Sequence, residues 1–378
     1  MALKFKIFIL FLFLYQVAFA QPTICLNMIV KNESEVIRRA LDSAKNWVDY
    51  WVIVDTGSTD GTQQIIQEHM KDIPGQLIER PWKNFAHNRN EAMEYALTKG
   101  EYILFLDADD WFEVEPDFRF PELIEDAYTV LWHHGEGCTY PKIQLIKSDP
   151  SWYWEGVWHE GLFSRRPHSV NHLSNIKYIY GADGFSSKNP EKFLQAVAVF
   201  QKALEDEPNN TRYVFYLAES LRDAGKPEEA LNQYLKRSKM GGWEEEIFWS
   251  LLQVGHLKNT LGHPTDEIIE SYYRAHRFRP HRPEPIYYLA NLFNKTCNYA
   301  LAYSSLKGYT YIPQPQTKDL LFNMDWISNH GLIFELSLAS YYLGHIEEFT
   351  RLCHQLLAIE KLPQNFKSSV EQNLRLVI

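Results

Sequence analysis

The first 185 residues predict an α/β fold with a mainly parallel sheet and flanking helices, and the rest predicts an all-α repeat solenoid. Two observations carry this division. From Thr23 to Leu106 short apolar runs alternate with helix-like stretches, the signature of βαβ units with strands side by side. From Glu191 onward the apolar spacing is helical with almost no strand signal, and an internal repeat appears. With 378 residues, 45% of them apolar, the chain can fill two cores.

Thr23 to Val30 reads as the first strand, followed by Lys31-Asn-Glu-Ser-Glu35 and a helix-like stretch through Leu41 to Trp47. Tyr50 to Val54 is the second strand. It ends in Asp55-Thr-Gly-Ser-Thr-Asp-Gly-Thr62, and a helix-like stretch follows over Gln63 to His69. Two glycines in that loop permit unusual backbone angles, and Ser58, Thr59 and Asp60 suit a helix N-terminus. Gln76 to Glu79 makes a third strand, Asn88 to Leu97 a third helix, and Tyr102 to Leu106 a buried strand running into Asp107, Asp109 and Asp110. Right-handed crossovers put Asn32, Asp55 and Asp107 along one edge of the sheet, where open α/β folds bind ligands. Clustered carboxylates repel unless water or a cation separates them. Hard oxygen ligands suit Mg²⁺ or Mn²⁺, which share their coordination with phosphate oxygens. An acidic solvated turn is the bland alternative for Asp-x-Asp taken alone.

Val54-Asp-Thr-Gly-Ser-Thr-Asp-Gly-Thr62, Asn88-Arg-Asn90 and Leu106-Asp-Ala-Asp-Asp110, in this order, resemble the nucleotide-sugar-binding half of family 2 glycosyltransferases with the GT-A fold. The resemblance covers about residues 23 to 165. It implies that Asn32 and Asp55 line the nucleoside pocket, that Arg89 approaches the diphosphate or base, and that Asp107 meets the sugar or ribose. Asp109, with Asp107 beside it, would hold the divalent metal. Thr56 stands where the family often has a second Asp, so Asp60 is either a helper in base recognition or a helix cap.

Ala127 to His133 and Pro141 to Lys147 alternate as strands, and the segment Trp152 to Phe163 is dense in aromatics. Aromatic faces stack on sugar rings, although for a single Trp a hydrophobic cover over the sheet is the commoner role. His159-Glu160 stands out as adjacent ionisable residues on an apolar strand, and the segment resembles a Trp-x-x-x-Val-x-His-Glu pattern of family 2 enzymes that carry helical repeats. Inverting transfer needs a base for the acceptor proton, worth roughly 10²–10⁴-fold. Glu160 is the candidate base and His159 an extra metal or phosphate contact, with the roles exchangeable and Asp110 in reserve. Neighbours on a strand point to opposite faces, so only one of the two need face the site. Arg165 and Arg166 are either diphosphate contacts or solvated surface residues.

In the second half, Ala196 and Phe200 recur as Ala230 and Tyr234, the 34-residue tetratricopeptide period. Phe215-Tyr-Leu-Ala218 recurs as Tyr287-Tyr-Leu-Ala290, and Pro208 as Pro280. Small Ala beside large aromatics suits stacked helix hairpins, so Tyr213, Tyr216, Tyr234, Tyr272 and Tyr288 are expected in the core. A concave face there would suit an acceptor polypeptide or a protein partner. Pro313 and Pro315 break the pattern before helices resume at Gly331. The domain expectation is residues 21–185 for the sheet and 186–378 for the repeats.

A net charge of −10 argues against nucleic acid or an anionic membrane as partner. Four cysteines are too few for a disulfide framework: Cys25 is expected as a buried thiol, and a Cys297–Cys353 pair is left open. Lys4 and Lys6 before the apolar run Ile7 to Tyr15, with Ala18-Phe-Ala20 after it, read as a secretory signal over residues 1–20, with an uncleaved anchor as the alternative. The expected setting is the lumen of the endoplasmic reticulum or Golgi, or secretion, with a periplasmic or membrane-anchored enzyme as competitor. Asn32, Asn209 and Asn294 begin Asn-x-Ser/Thr triplets.

Together these features predict a glycosyltransferase moving a sugar from a nucleotide-diphosphate donor, a UDP-sugar, to a hydroxyl of a glycan or polypeptide, with inversion and a divalent metal. A non-catalytic scaffold with a degenerate catalytic half is the alternative, against which the Asp55 loop, Arg89 and both acids of Asp-x-Asp are intact. A nucleotidyltransferase fits poorly, because no glycine-rich basic loop follows the first strand.

Overall fold

One sheet of eight strands organises the first half, in the order β3-β2-β1-β4-β7-β6-β10-β5. The strands are β1 Ile24–Val30, β2 Tyr50–Asp55, β3 Gly75–Glu79, β4 Tyr102–Phe105, β5 Trp111–Val114, β6 Ala127–His134, β7 Cys138–Lys147 and β10 Val170–Ile179. A separate hairpin pairs β8 Trp152–Glu155 with β9 Gly161–Ser164. The computed structural model describes residues 22–116, 118–134, 138–309 and 319–377. The proposed signal over residues 1–20 and the Pro313–Pro315 break lie outside them.

Strands β3, β2, β1 and β4 are mutually parallel, joined by α1 Ile37–Ala44, α2 Thr62–His69 and α3 Phe85–Ala96. Beyond β4 the sheet turns mixed, with β7 antiparallel to both β4 and β6 and β10 parallel to β6. Alternate residues of β1 feed two cores. Leu26 and Met28 pack with Ile37, Leu41 and Ile66 on one face, while Cys25 packs with Met93 and Ala96 of α3 on the other. Burial on both faces is why β1 reads as a continuous apolar run. The chain reverses its direction of travel across the sheet between β1 and β4, which opens a crevice at their carboxyl ends. The three expected crossover helices form, with α3 starting three residues earlier than expected because Asn84 caps it, accepting from the His87 amide.

Strand β10 was not visible in the sequence. Its pattern VNHLSNIKYI is mostly polar and exposed, with only Leu173, Ile176 and Tyr178 buried. After it comes a short helix, α4 Phe185–Lys188, and then a series of longer ones. These are α5 Lys192–Asp206, α6 Thr211–Asp223, α7 Pro227–Arg237, α8 Glu244–Thr260, α9 Thr265–Phe278, α10 Glu284–Lys295, α11 Tyr299–Tyr309, α12 Leu332–Tyr342, α13 Ile346–Leu357 and α14 Gln364–Leu374. From α5 on, each helix packs on the next, the geometry of a tetratricopeptide-like array. The repeat lands on the seams: Ala196, Phe200, Ala230 and Tyr234 are all buried. Tyr213 and Tyr272 are core as expected, whereas Tyr216 and Tyr288 are only half-buried. Cys297 is exposed and Cys353 buried, both as free thiols, so the open question of their pairing is answered in the negative. Among the described residues no helix is long and apolar enough to cross a membrane.

Candidate active site

The crevice at the β1/β4 switch is built from three loops that brace one another. Asp55, fully buried at the end of β2, accepts from the Gly57 and Ser58 amides at 2.9 and 2.8 Å and from Gln63 Nε2 at 3.1 Å, all through Oδ1. Its Oδ2 is buried without a partner. Gly57 and Gly61 take φ of 106° and 94°, values that bring the loop back on itself and that glycine adopts without cost. Asn32, itself left-handed at φ 55°, donates its amide to Ser58 Oγ and accepts from the Thr59 amide, both at 2.8 Å. Asp60 accepts from the Ser34 amide and from the Thr62 amide and hydroxyl. Although burial opposes it, these bonds hold its pKa down to about 2. These bonds brace the loop, whose Gly61 and not Asp60 is the N-cap of α2, and Asp60 also lines a cavity of about 270 Å³ with Asn32, Glu33, Asp183, Phe185 and Lys188.

At the end of β4 the charges interlock. Arg89 of α3 donates from Nη2 to Asp107 Oδ1 at 2.5 Å and from Nε to Glu160 Oε1 at 2.6 Å, with its guanidinium 5.0 Å from the Trp154 ring. The Asp107 amide donates to Tyr178 Oη at 3.0 Å. Burial alone would raise Asp107, but Arg89 and Lys142 hold it below the ordinary carboxylate range. Burial and the charge of Asp107 push Asp109 upward and Asp110 up to about 7. Asp109 Oδ2 accepts from the Gly184 amide at 3.2 Å, and Asp110 Oδ1 from the Gly181 amide at 2.9 Å.

Of the expected residues, Arg89, Asp107 and Glu160 thus meet in one network. Asn32, Asp55 and Asp60 form the adjoining loop cluster, and Asp109 lies two residues past Asp107 in the turn that follows β4. His159 departs from expectation. Its ring stacks on Tyr216 of the helical half, centroids 4.3 Å apart. The expected apolar strand is broken here, and His159 and Glu160 lie in the link between β8 and β9 with His159 left-handed at φ 54°. His159 stays exposed, yet loss of hydration on its stacked face and the nearby Arg212, Lys192 and Lys142 push its pKa down to about 4. The aromatic segment is divided: Trp152 and Trp154 are buried and Phe163 is exposed, Tyr153 is half-buried, and Trp158 packs edge-on against Phe85. Arg166 pairs with Asp126 and Asp149, beside the start of β4 and so at the edge opposite Asp107.

Several residues of the site had escaped notice. Tyr178 sits on the unrecognised β10. Lys142 stands on β7, whose antiparallel register with β4, Leu104 opposite Leu145, continued past the strand end brings it level with Asp107. Its ammonium lies 3.8 Å over Trp132. Arg39 ties Asp183 to the Asp109 carbonyl. Glu33 accepts from the Phe185 amide, and burial pushes it up to about 7.

The family profile Glycosyl transferase family 2 matches residues 25–182. An uncharacterised glycosyltransferase of Rickettsia felis is 35% identical over 232 residues, covering 59% of this chain and 77% of its own. This chain belongs to the family 2 glycosyltransferases. The SPbeta prophage-derived glycosyltransferase SunS of Bacillus subtilis is 28% identical over 230 residues, 57% of this chain and 53% of that one, so the chain matches about half the length of this relative. A TPR repeat-containing protein of Synechococcus elongatus is 33% identical over 153 residues, 38% of this chain and 36% of that one. Among solved structures, Staphylococcus aureus TarS 1-349 in complex with UDP overlaps 68% of this family 2 chain and 87% of its own, at 14% identity and a TM-score of 0.32.

Proposed function

We propose that this glycosyltransferase moves a hexose-like sugar from a UDP-sugar to a hydroxyl of a glycan or polypeptide, with inversion and with a divalent cation. The observation that carries the reading is the convergence of Asp55, Arg89, Asp107, Asp109 and Glu160 at one switch-point crevice. The buried, unpartnered Oδ2 of Asp55 is an acceptor with unmet hydrogen-bonding capacity, and the N–H of a nucleoside base or a ribose hydroxyl would satisfy it.

Among the described residues no cluster of three or more His, Cys, Asp and Glu surrounds a metal position. Mg²⁺ or Mn²⁺ is commonly bound by one or two carboxylates together with donor phosphates, and Asp109 with Asp107 would supply the protein ligands. When bound, such an ion stabilises negative charge on the departing diphosphate. Arg89 orients Asp107 and Glu160 together. Glu160 then takes the proton from the acceptor hydroxyl as the new glycosidic bond forms and the sugar–diphosphate bond breaks. The arm of chain from Gly181 to Phe185 lies against Asp109, Asp110 and Glu33.

Incubation of the full chain with UDP-, GDP- and CMP-sugars, in Mn²⁺ or in EDTA, tests this. Release of free UDP in Mn²⁺ and its loss in EDTA is the expected result. Equal release in EDTA removes the metal, and release from GDP- or CMP-sugars alone removes uridine.

A further inference from the structure

We infer that the helical half belongs to the catalytic apparatus: through Arg212 and Tyr216 of α6 it sets the position of Glu160. The inference rests on Glu160 being the base of the reaction proposed above. Glu160 ends the tight link between β8 and β9, which takes left-handed backbone at Gly156 (φ 121°) and at His159 (φ 54°). A non-glycine residue keeps such a conformation only where its surroundings over-determine it.

Two distant parts of the protein hold this link. On its entry side Asn90 of α3 clamps the Trp154 backbone in both directions, at 2.7 and 2.8 Å. On its exit side the holders are helical. Arg212 Nη2 donates to the His159 carbonyl at 2.9 Å, and the His159 ring lies 4.3 Å from the Tyr216 ring at an interplanar angle of 20°. Val157 and Trp158 pack into the same helical core.

Arg212 is itself anchored. Its guanidinium lies 4.9 Å over Tyr216, and Nη1 is 3.7 Å from Glu246, whose carboxylate is paired with the fully buried Arg237 at 3.0 Å. The carbonyl that Arg212 holds belongs to the peptide joining His159 to Glu160, so fixing it fixes the backbone from which Glu160 reaches Arg89 at 2.6 Å. Releasing His159 would free Glu160 to leave that geometry. Arg212 and Tyr216 are therefore positioning residues, and neither touches the reacting atoms.

The test compares the full-length protein with Arg212→Met, Arg212→Lys and Tyr216→Leu in three measurements: amide hydrogen exchange, UDP release from a UDP-sugar, and calorimetric binding of UDP with Mn²⁺. In Arg212→Met, exchange at residues 155–161 should rise while residues 85–96 stay as in wild type. A displaced catalytic group predicts a fall in kcat of about tenfold or more. KM for the UDP-sugar and UDP affinity should stay within about twofold, since uniform binding is untouched. Arg212→Lys, which keeps a donor for the His159 carbonyl, should recover part of kcat. Tyr216→Leu should repeat the pattern, and decides the matter should Arg212→Met fail to fold. Wild-type exchange at 155–161 together with wild-type kcat in both Arg212→Met and Tyr216→Leu would overturn the inference. Absence of UDP binding or release in the wild type strikes the donor reading instead, and the exchange measurement still decides whether α6 holds the link.

Discussion

Both halves bury charge, but they complete it differently. In the helical half each buried carboxylate is answered. Glu219 accepts from Trp249 and Tyr234, Glu245 from two backbone amides, and Glu246 from Arg237. Glu284 and Asp319 share Arg282, and Glu335 accepts from Asn291 and Asn294. Burial raises the pKa of Glu219, Glu246 and Glu335 too. At the sheet edge, however, Asp55 Oδ2 has no partner, and the charge of Asp107 adds to burial in raising Asp109 and Asp110. A satisfied buried network adds rigidity and specificity of packing. An unsatisfied one costs free energy and is kept where a ligand completes it. Among the described carboxylates, an orphaned oxygen and like-charge crowding, rather than burial itself, mark the site.

The contrast can be broken most directly at its two glutamates. Glu160→Gln should lower kcat by roughly 10²–10⁴-fold while leaving the denaturant midpoint close to wild type. A kcat within a few-fold of wild type would pass the base role to Asp110. Glu246→Ala should act first on the stability of the helical half and, because Glu246 also steadies Arg212, should lower kcat in the manner of Arg212→Met. Arg237, with no exposed side-chain surface, loses its ion-pair partner, and stripping a buried pair in this way costs about 3–5 kcal/mol, readable by urea unfolding.

A smaller effect is set by pH. His256 bonds to Tyr272 Oη at 2.8 Å, and burial together with Arg222 pushes its pKa from 6.5 down to about 4. The folded state prefers the neutral ring, so between these values the unfolded chain binds more protons. The contribution is therefore complete above pH 6.5 and is lost as pH falls toward 4. Wild type should lose about 2 kcal/mol more than His256→Gln between pH 7 and 4.5, and equal pH slopes would exclude this source. The smallest change is Asp60→Ala, expected to cost about 1 kcal/mol for the loop hydrogen bonds it removes. A large fall in UDP affinity in that variant would show that Asp60 also touches the donor.

Much of the catalytic half was legible because its signals are local. Buried strands read as apolar runs, glycines marked the Asp55 loop, and β4 pointed straight at Asp107. The tripeptide Asn88-Arg-Asn90 gains its meaning only in space: Asn88 holds the Pro81 and Lys83 backbone, Arg89 joins the two acids, and Asn90 grips Trp154. The Asn294 triplet illustrates the same limit. Its Nδ2 donates to Glu335 twice, so a glycan there would break both hydrogen bonds, which the triplet alone does not reveal.

Residue order was thus sufficient for the α/β-then-helical division, the switch-point crevice and the acids at its rim, since apolar period and turn chemistry act over a few neighbours. Chain folding had to assign Lys142, Tyr178 and Arg39 to the crevice and turn His159 away from it. Those placements depend on strand register and on helices more than fifty residues distant along the chain, contacts that no local pattern encodes.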